Sequence, residues 1–231
     1  MTVLHLADEG EAADLAAFLS RLLHYDRGAA VRLQAAGTAL AVFGRPPSFE
    51  VLAIRAVRLA KPYENGLDAT LDVTVSAGEL LEALDEPAAT AAVLAEVTGP
   101  PWAGVLPPRG GWRPEPGLPA PDALRAMVRA GVAEFRSRTQ ELTPEERTRA
   151  ALDRIGREIW SRSVGDTHLP VRAVHAAQSL GFLRVRQDTH AHDEPQLALF
   201  SSGAWLRLRT PYGSIAVRRA GLGALDVSVS R

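Results

Sequence analysis

The residues best suited to chemistry lie in the last third of the chain. Asp188-Thr189-His190-Ala191-His192-Asp193-Glu194 sets two imidazoles at i and i+2. An extended segment that then turns can bring both to one metal ion, and carboxylates supply oxygen ligands beside them. The expected metal set is His190, His192 and Asp193, and a metal held there would support assisted hydrolysis. Against it stands the ordinary reading of a polar loop between strands, which is solvated and holds nothing. Asp166-Thr167-His168 repeats the triplet at residues 188–190 in a second expected loop.

A second set is basic. Trp205, Arg207 and Arg209 share one face of an expected strand, with Leu206 and Leu208 on the other. Arg218 and Arg219 lie on the next strand, and Arg184 and Arg186 on an earlier one. Guanidinium groups interleaved with an aromatic ring can pair phosphates and stack on bases, so these seven residues form an expected surface for nucleic acid or another partner. The order helix, helix, hairpin also follows that of a winged helix, in which the Pro170–Leu180 helix would enter the major groove. That helix offers only Arg172, His175 and Gln178 as polar readers, and His175 is expected to be a partly buried structural histidine.

Several chemistries are excluded or unmarked. The chain has no cysteine, so thiolate catalysis, disulfides and thiolate metal sites are impossible. No serine stands in Gly-x-Ser-x-Gly, and no phosphate loop or dinucleotide fingerprint occurs. No cofactor is expected. The start lacks a basic region followed by an apolar one, and no run approaches the roughly 20 apolar residues of a membrane span, so the expected location is cytoplasmic.

The elements that must position these residues follow from period and punctuation. Asp8 and Glu11 begin a helix whose apolar stripe is Leu15, Phe18, Leu19 and Leu22, and Gly28 stops it. Residues 31–35 and 40–43 form a hairpin about Gly37-Thr38. The apolar run 49–59 reads as a central strand, and Asn65-Gly66 as a turn. Residues 68–75 alternate as a strand, Ser76-x-x-Glu79 caps a short helix, and Pro87 opens an alanine-rich helix ending near Gly99. In the second half, helices are expected at 122–138, 143–162 and 170–180. Gly131 in the first allows another element to come close. Strands are expected at 182–186, 196–200, 204–209, 214–219 and 225–230.

Between the halves, residues 99–121 hold so many prolines and glycines that neither a helix nor a central strand can run through them. Trp102, Val105, Leu106 and Trp112 are nonetheless too apolar for a free linker. The segment therefore reads as an ordered, extended belt whose anchors are Trp102 and Trp112. The implied organisation is an N-terminal α+β lobe at 1–98, the belt, and a C-terminal lobe at 122–231 of three helices followed by antiparallel strands. Each lobe is expected to carry helices on one face of its own sheet.

The net charge of −1 conceals an asymmetry: residues 1–119 carry 9 Lys+Arg against 15 Asp+Glu, and residues 120–231 carry 17 against 12. Opposite halves can attract each other, or the basic half can face an anionic partner.

Pro101-Trp102-Ala103-Gly104-Val105, Pro107-Pro108-Arg109-Gly110-Gly111-Trp112, Leu180-Gly181-Phe182-Leu183 and Trp205-Leu206-Arg207-Leu208 together resemble a two-part protein family of actinobacteria whose function is unknown. The resemblance covers the belt and the second half, and implies no catalytic residues. The favoured reading is a non-enzymatic binding or protein-interaction protein, acting on a protein partner or on itself. Nucleic-acid binding through the basic hairpin and metal-assisted hydrolysis through His190 and His192 are the alternatives.

Overall fold

The computed structural model describes residues 2–60, 71–93, 95–184 and 197–219. Strand β1 (Thr2–His5) leads into helix α1 (Glu9–Tyr25), whose N-terminus is capped by the Asp8 carboxylate accepting from Glu11 N at 2.8 Å. Ala12, Leu15, Phe18, Leu19 and Leu22 bury its apolar stripe as the spacing predicts. Strands β2 (Ala30–Ala36) and β3 (Ala39–Gly44) form the expected hairpin. Gly37 at its tip has φ +57°, a conformation that glycine adopts without strain. Strand β4 (Leu52–Arg58) pairs with β3, and β5 (Leu71–Ser76) pairs with β2 and feeds helix α2 (Ala77–Glu82) through the Ser76 cap.

The next segment corrects an expectation. The alanine-rich helix does not form. Strands β6 (Leu84–Asp85) and β7 (Thr90–Val93) make a small sheet with β1, in the order β1-β7-β6. Helix propensity is a weak preference, and here β1 offers an edge that β7 satisfies over four residue pairs. The fully buried Ala91 sits in that pairing where a larger side chain would be crowded.

The second half begins with β8 (Arg113–Glu115) and continues through helices α3 (Pro121–Gln140), α4 (Arg149–Trp160) and α5 (Val171–Ser179). Helix α4 starts six residues later than the sequence predicts. Thr143 and Glu146 do make reciprocal capping hydrogen bonds, 3.1 and 3.4 Å long, but they close a single turn. Thr148 then caps Ala151 N at 3.2 Å, and the helix that follows buries Ile155 and Ile159. Phe182 and Leu183 form a turn instead of the expected strand. There the Phe182 ring stacks on Phe18 with centroids 5.6 Å apart. Strands β9 (Ala198–Ser202), β10 (Trp205–Thr210) and β11 (Gly213–Arg218) make the antiparallel set expected at 196–219. The turn at Asn65-Gly66 and the strand expected at 225–230 lie outside the described residues.

The main correction concerns the lobes. The fold is α+β with antiparallel sheets, but one eight-stranded sheet spans both halves in the order β5-β2-β3-β4-β11-β10-β9-β8. The join is β4 with β11, where Leu52, Ala53 and Ile54 stand opposite Ala216, Ile215 and Ser214. All six are buried. Two separate sheets would each leave an apolar central strand as an unpaired edge, and pairing them removes both edges. Helices α1, α3 and α5 share one core with the inner residues of this sheet, among them Leu33, Val42, Leu208 and Ile215.

Candidate anion-binding site

The other face of the sheet is dressed by the belt. Just before the belt Val97 N donates to Thr74 O of β5 at 2.9 Å, and within the belt β8 is hydrogen-bonded to β9. Since β5 and β8 are the two edges, the belt crosses the full width of the sheet. A one-turn 3-10 helix at Pro101–Gly104 presents Trp102, which packs with Leu106 and Trp205 over Phe43, Leu52, Ile54 and Ala216. Trp102 thus touches a cluster drawn from both halves. Trp112 is held differently. Its indole N–H donates to Pro108 O at 3.0 Å, and the Arg207 guanidinium lies 5.8 Å from its ring centroid.

The alternation of β10 sets Trp205, Arg207 and Arg209 on this belt-covered face, opposite Arg218, Ala216 and Ser214 of β11. Arg209 stands over Phe200 at 4.8 Å and Arg218 over Trp205 at 5.6 Å. The Nε atoms of Arg207 and Arg209 are buried and make no hydrogen bond among the described residues. Burial, and then the like charge of Arg209, pushes the Arg207 guanidinium below the usual arginine range.

The remaining arginines of the expected strip are elsewhere. Arg184 is ion-paired with Asp14 of α1 and stacks on Tyr212 at 3.9 Å. Arg219 pairs with Glu115 at 2.9 Å; a hydrogen bond from Ser201, then Arg219, holds that carboxyl below its ordinary value. The basic strip is therefore divided, with three members on the belt face and two neutralised by the acidic half and the belt. Arg186, His190, His192 and Asp193 lie outside the described residues. Among the described residues no group of three or more His, Asp or Glu is placed to hold a metal. The Asp166-Thr167-His168 triplet is a structural turn: the Thr167 hydroxyl donates to Val164 O at 2.6 Å and accepts from Leu169 N at 3.1 Å. Helix α5 buries Val171, Ala173, Val174, Ala176 and Ala177, and His175 stacks on Trp160 with centroids 4.4 Å apart, so the helix is packed into the fold and not offered to a groove.

At the end of the sheet where β3 and β11 finish and β4 and β10 begin, a cavity of about 300 Å³ opens. Its charged lining is Arg45, Arg172, Arg218 and Glu50, and its aromatic walls are Trp102 and Trp205. Val51, Leu52, Val105 and Ala216 add apolar surface. Arg172 Nε is buried and makes no hydrogen bond among the described residues. Glu50 Oε2 lies 3.9 Å from it, but the Glu50 side chain is 73% exposed, so this pair is largely solvated. The loop bearing Glu50 is strained, with Ser48 at φ +70° and Glu50 at φ +53°, neither of them glycine. Three arginines against one carboxylate in the lining make this a place for negative charge.

Two other cavities differ in charge. One of about 360 Å³ beside Pro107 and Pro108 includes Arg109 and Arg207. There Asp72 supplies a local counter-charge, receiving Arg32 at 2.8 Å, Gln34 at 3.1 Å and Arg109 at 3.8 Å. One of about 540 Å³ is lined by Arg125 and Arg184, which are paired with Asp122 and Asp14.

Residues 107–222, half of the chain, match the family DUF8185, a domain of unknown function. The chain belongs to the DUF8185 family. Residues 1–104 match a second domain of unknown function, DUF8010. No curated protein matches the chain. The 300 Å³ cavity draws on both spans: Arg45, Glu50 and Trp102 come from the DUF8010 span, and Arg172, Trp205 and Arg218 from the DUF8185 span. Sequence reasoning had no way to join Arg45 and Glu50 to the arginines of the second half, because β4 and β11 are joined only by folding. The one local signal was Pro46-Pro47-Ser48, which breaks the strand between Arg45 and Glu50.

Proposed function

We propose that the protein is a non-enzymatic binding protein that holds an anionic ligand in the cavity at the β4–β11 seam. The observation that carries this reading is the convergence of Arg45, Arg172 and Arg218 on one cavity against the single carboxylate of Glu50. Arg172 Nη1 donates to Ser161 Oγ at 3.4 Å, and guanidinium groups at a cavity rim pair with anionic oxygens through charge-assisted hydrogen bonds. Among the described residues the exposed large apolar side chains are Val3 on β1, Tyr25 at the end of α1 and Val105 after the 3-10 turn, and Val105 belongs to the cavity itself. Among the described residues no helix is long and apolar enough to cross a membrane. Calorimetric titration of the full chain with inorganic phosphate and pyrophosphate tests the reading. Saturable binding that weakens at least tenfold in Arg172→Gln supports it, and no heat at millimolar ligand overturns it.

A second reading, nucleic acid on the β10–β11 face, is supported by the interleaving of Arg207, Arg209 and Arg218 with Trp112, Phe200 and Trp205. Mobility shift of single-stranded oligonucleotides at low and moderate salt separates the two. Phosphate contacts strengthen as salt falls, so absence of a shift even at low salt eliminates this reading.

A further inference from the structure

We infer that the seam cavity takes a phosphate monoester carried on a flat ring, the chemistry of a mononucleotide. The inference rests on the anion-binding reading above and names its ligand class.

Charge comes first. Arg45, Arg172 and Arg218 bring three positive charges and Glu50 one negative, leaving an excess of two. A phosphate monoester carries about −1.5 to −2 near pH 7, which matches that excess, whereas a carboxylate carries only −1. Guanidinium forks also suit the several oxygens of a phosphate better than a single point charge does.

The walls supply the ring. Trp102 is fixed from behind by Phe43, Leu52, Ile54 and Ala216, and Trp205 is held in β10 with Arg218 against its face. Two indoles on one cavity give a planar ligand stacking surface, and stacking does not depend on which base is present. The volume of about 300 Å³ stands at the small end of ligand sites.

The rim is set in advance. Residues 48 and 50 hold left-handed backbone that costs free energy for non-glycine residues, and such strain persists where the surroundings fix it. Here it holds Glu50 beside Arg172, which trims the excess positive charge without cancelling it.

The test is titration of the full chain with the four ribonucleoside 5′-monophosphates, with adenosine and inorganic phosphate as partial ligands, followed by calorimetry and tryptophan fluorescence. At least one monophosphate should bind ten times more tightly than either adenosine or phosphate and quench the indole emission. Arg218→Gln, at an exposed side chain, should weaken it tenfold or more with an unchanged circular dichroism spectrum, and Trp205→Leu should reduce the quenching and leave only the part due to Trp102. Phosphate binding as tightly as every monophosphate overturns this inference and leaves the anion reading standing. Adenosine binding as tightly as the monophosphates overturns both. Binding by none of these probes at millimolar concentration also overturns both.

Discussion

Trp160 occupies the space where Gly131 has no side chain: a Cβ on Gly131 would stand 2.8 Å from Cζ3 of the indole. This contact sets how closely α4 approaches α3, and it is reinforced at the rim by Arg162 and Arg138, which reach Glu134 and Glu158 across the helix pair. Gly131→Ala gains about 1 kcal/mol of helix propensity but forces the ring to move. The expected net effect is a loss of about 1 kcal/mol, and Gly131→Leu should lose about 3 kcal/mol. Urea unfolding of both variants checks the order.

Arg55 is nearly buried and ties three elements. It pairs with Glu11 at 2.7 Å and Asp14 at 3.3 Å on α1, and donates to Tyr212 O in the β10–β11 turn at 3.0 Å. Removing one partner strands part of a buried charge. Glu11→Gln should therefore destabilise the protein by about 2–3 kcal/mol, with Asp14 keeping the loss below that of a fully broken pair. Chemical denaturation at two salt concentrations is the measurement, and the loss should change little with salt because the pair is shielded from solvent.

His175 gives the fold a pH dependence with a defined sign. It is packed between the rings of Trp160 and Phe49, and burial lowers its pKa from the ordinary 6.5. The folded state therefore binds its proton less readily than the unfolded chain. Above about pH 6.5 neither state is protonated at this site and it leaves stability unchanged. As pH falls below that value the unfolded state takes up the proton first, and stability declines until the lowered folded pKa is reached. Unfolding free energies at pH 7.5 and 5.5 should show this loss, and His175→Phe should shrink it.

The β4–β11 join predicts one cooperative unit. Thermal and urea unfolding of the full chain should coincide when followed by tryptophan fluorescence and by far-ultraviolet circular dichroism. A fragment of residues 1–104 should be unfolded or aggregated, because it leaves the apolar strand β4 as a bare edge. A fragment of that length with a sharp, independent transition would contradict the shared sheet.

Local punctuation was the legible part of this fold. The Asp8 cap, the Gly37 turn and the β9–β11 alternation each depend on residues a few positions apart, and each is where the spacing puts it. Gly131 foretold a close neighbour, though not that the neighbour is Trp160. The failures share a different cause. The composition of residues 87–99 favours a helix, and only the edge of β1, some 85 residues away, turns part of it into a strand. Two competing caps at Thr143 and Thr148 differ in which side chains they carry into the core, a matter of packing and not of motif. The cavity at the seam was illegible for the same reason, since Arg45 and Arg218 meet at no sequence spacing that carries meaning.

Ile54 stands opposite Ser214, a partner 160 positions further along the chain. During synthesis the first four strands of the large sheet leave the ribosome long before the strand that completes it. For most of that interval β4 is a sticky margin awaiting its mate. A chain cut short before β11 ends with an unmated apolar strand, the exposed edge on which partly folded proteins aggregate.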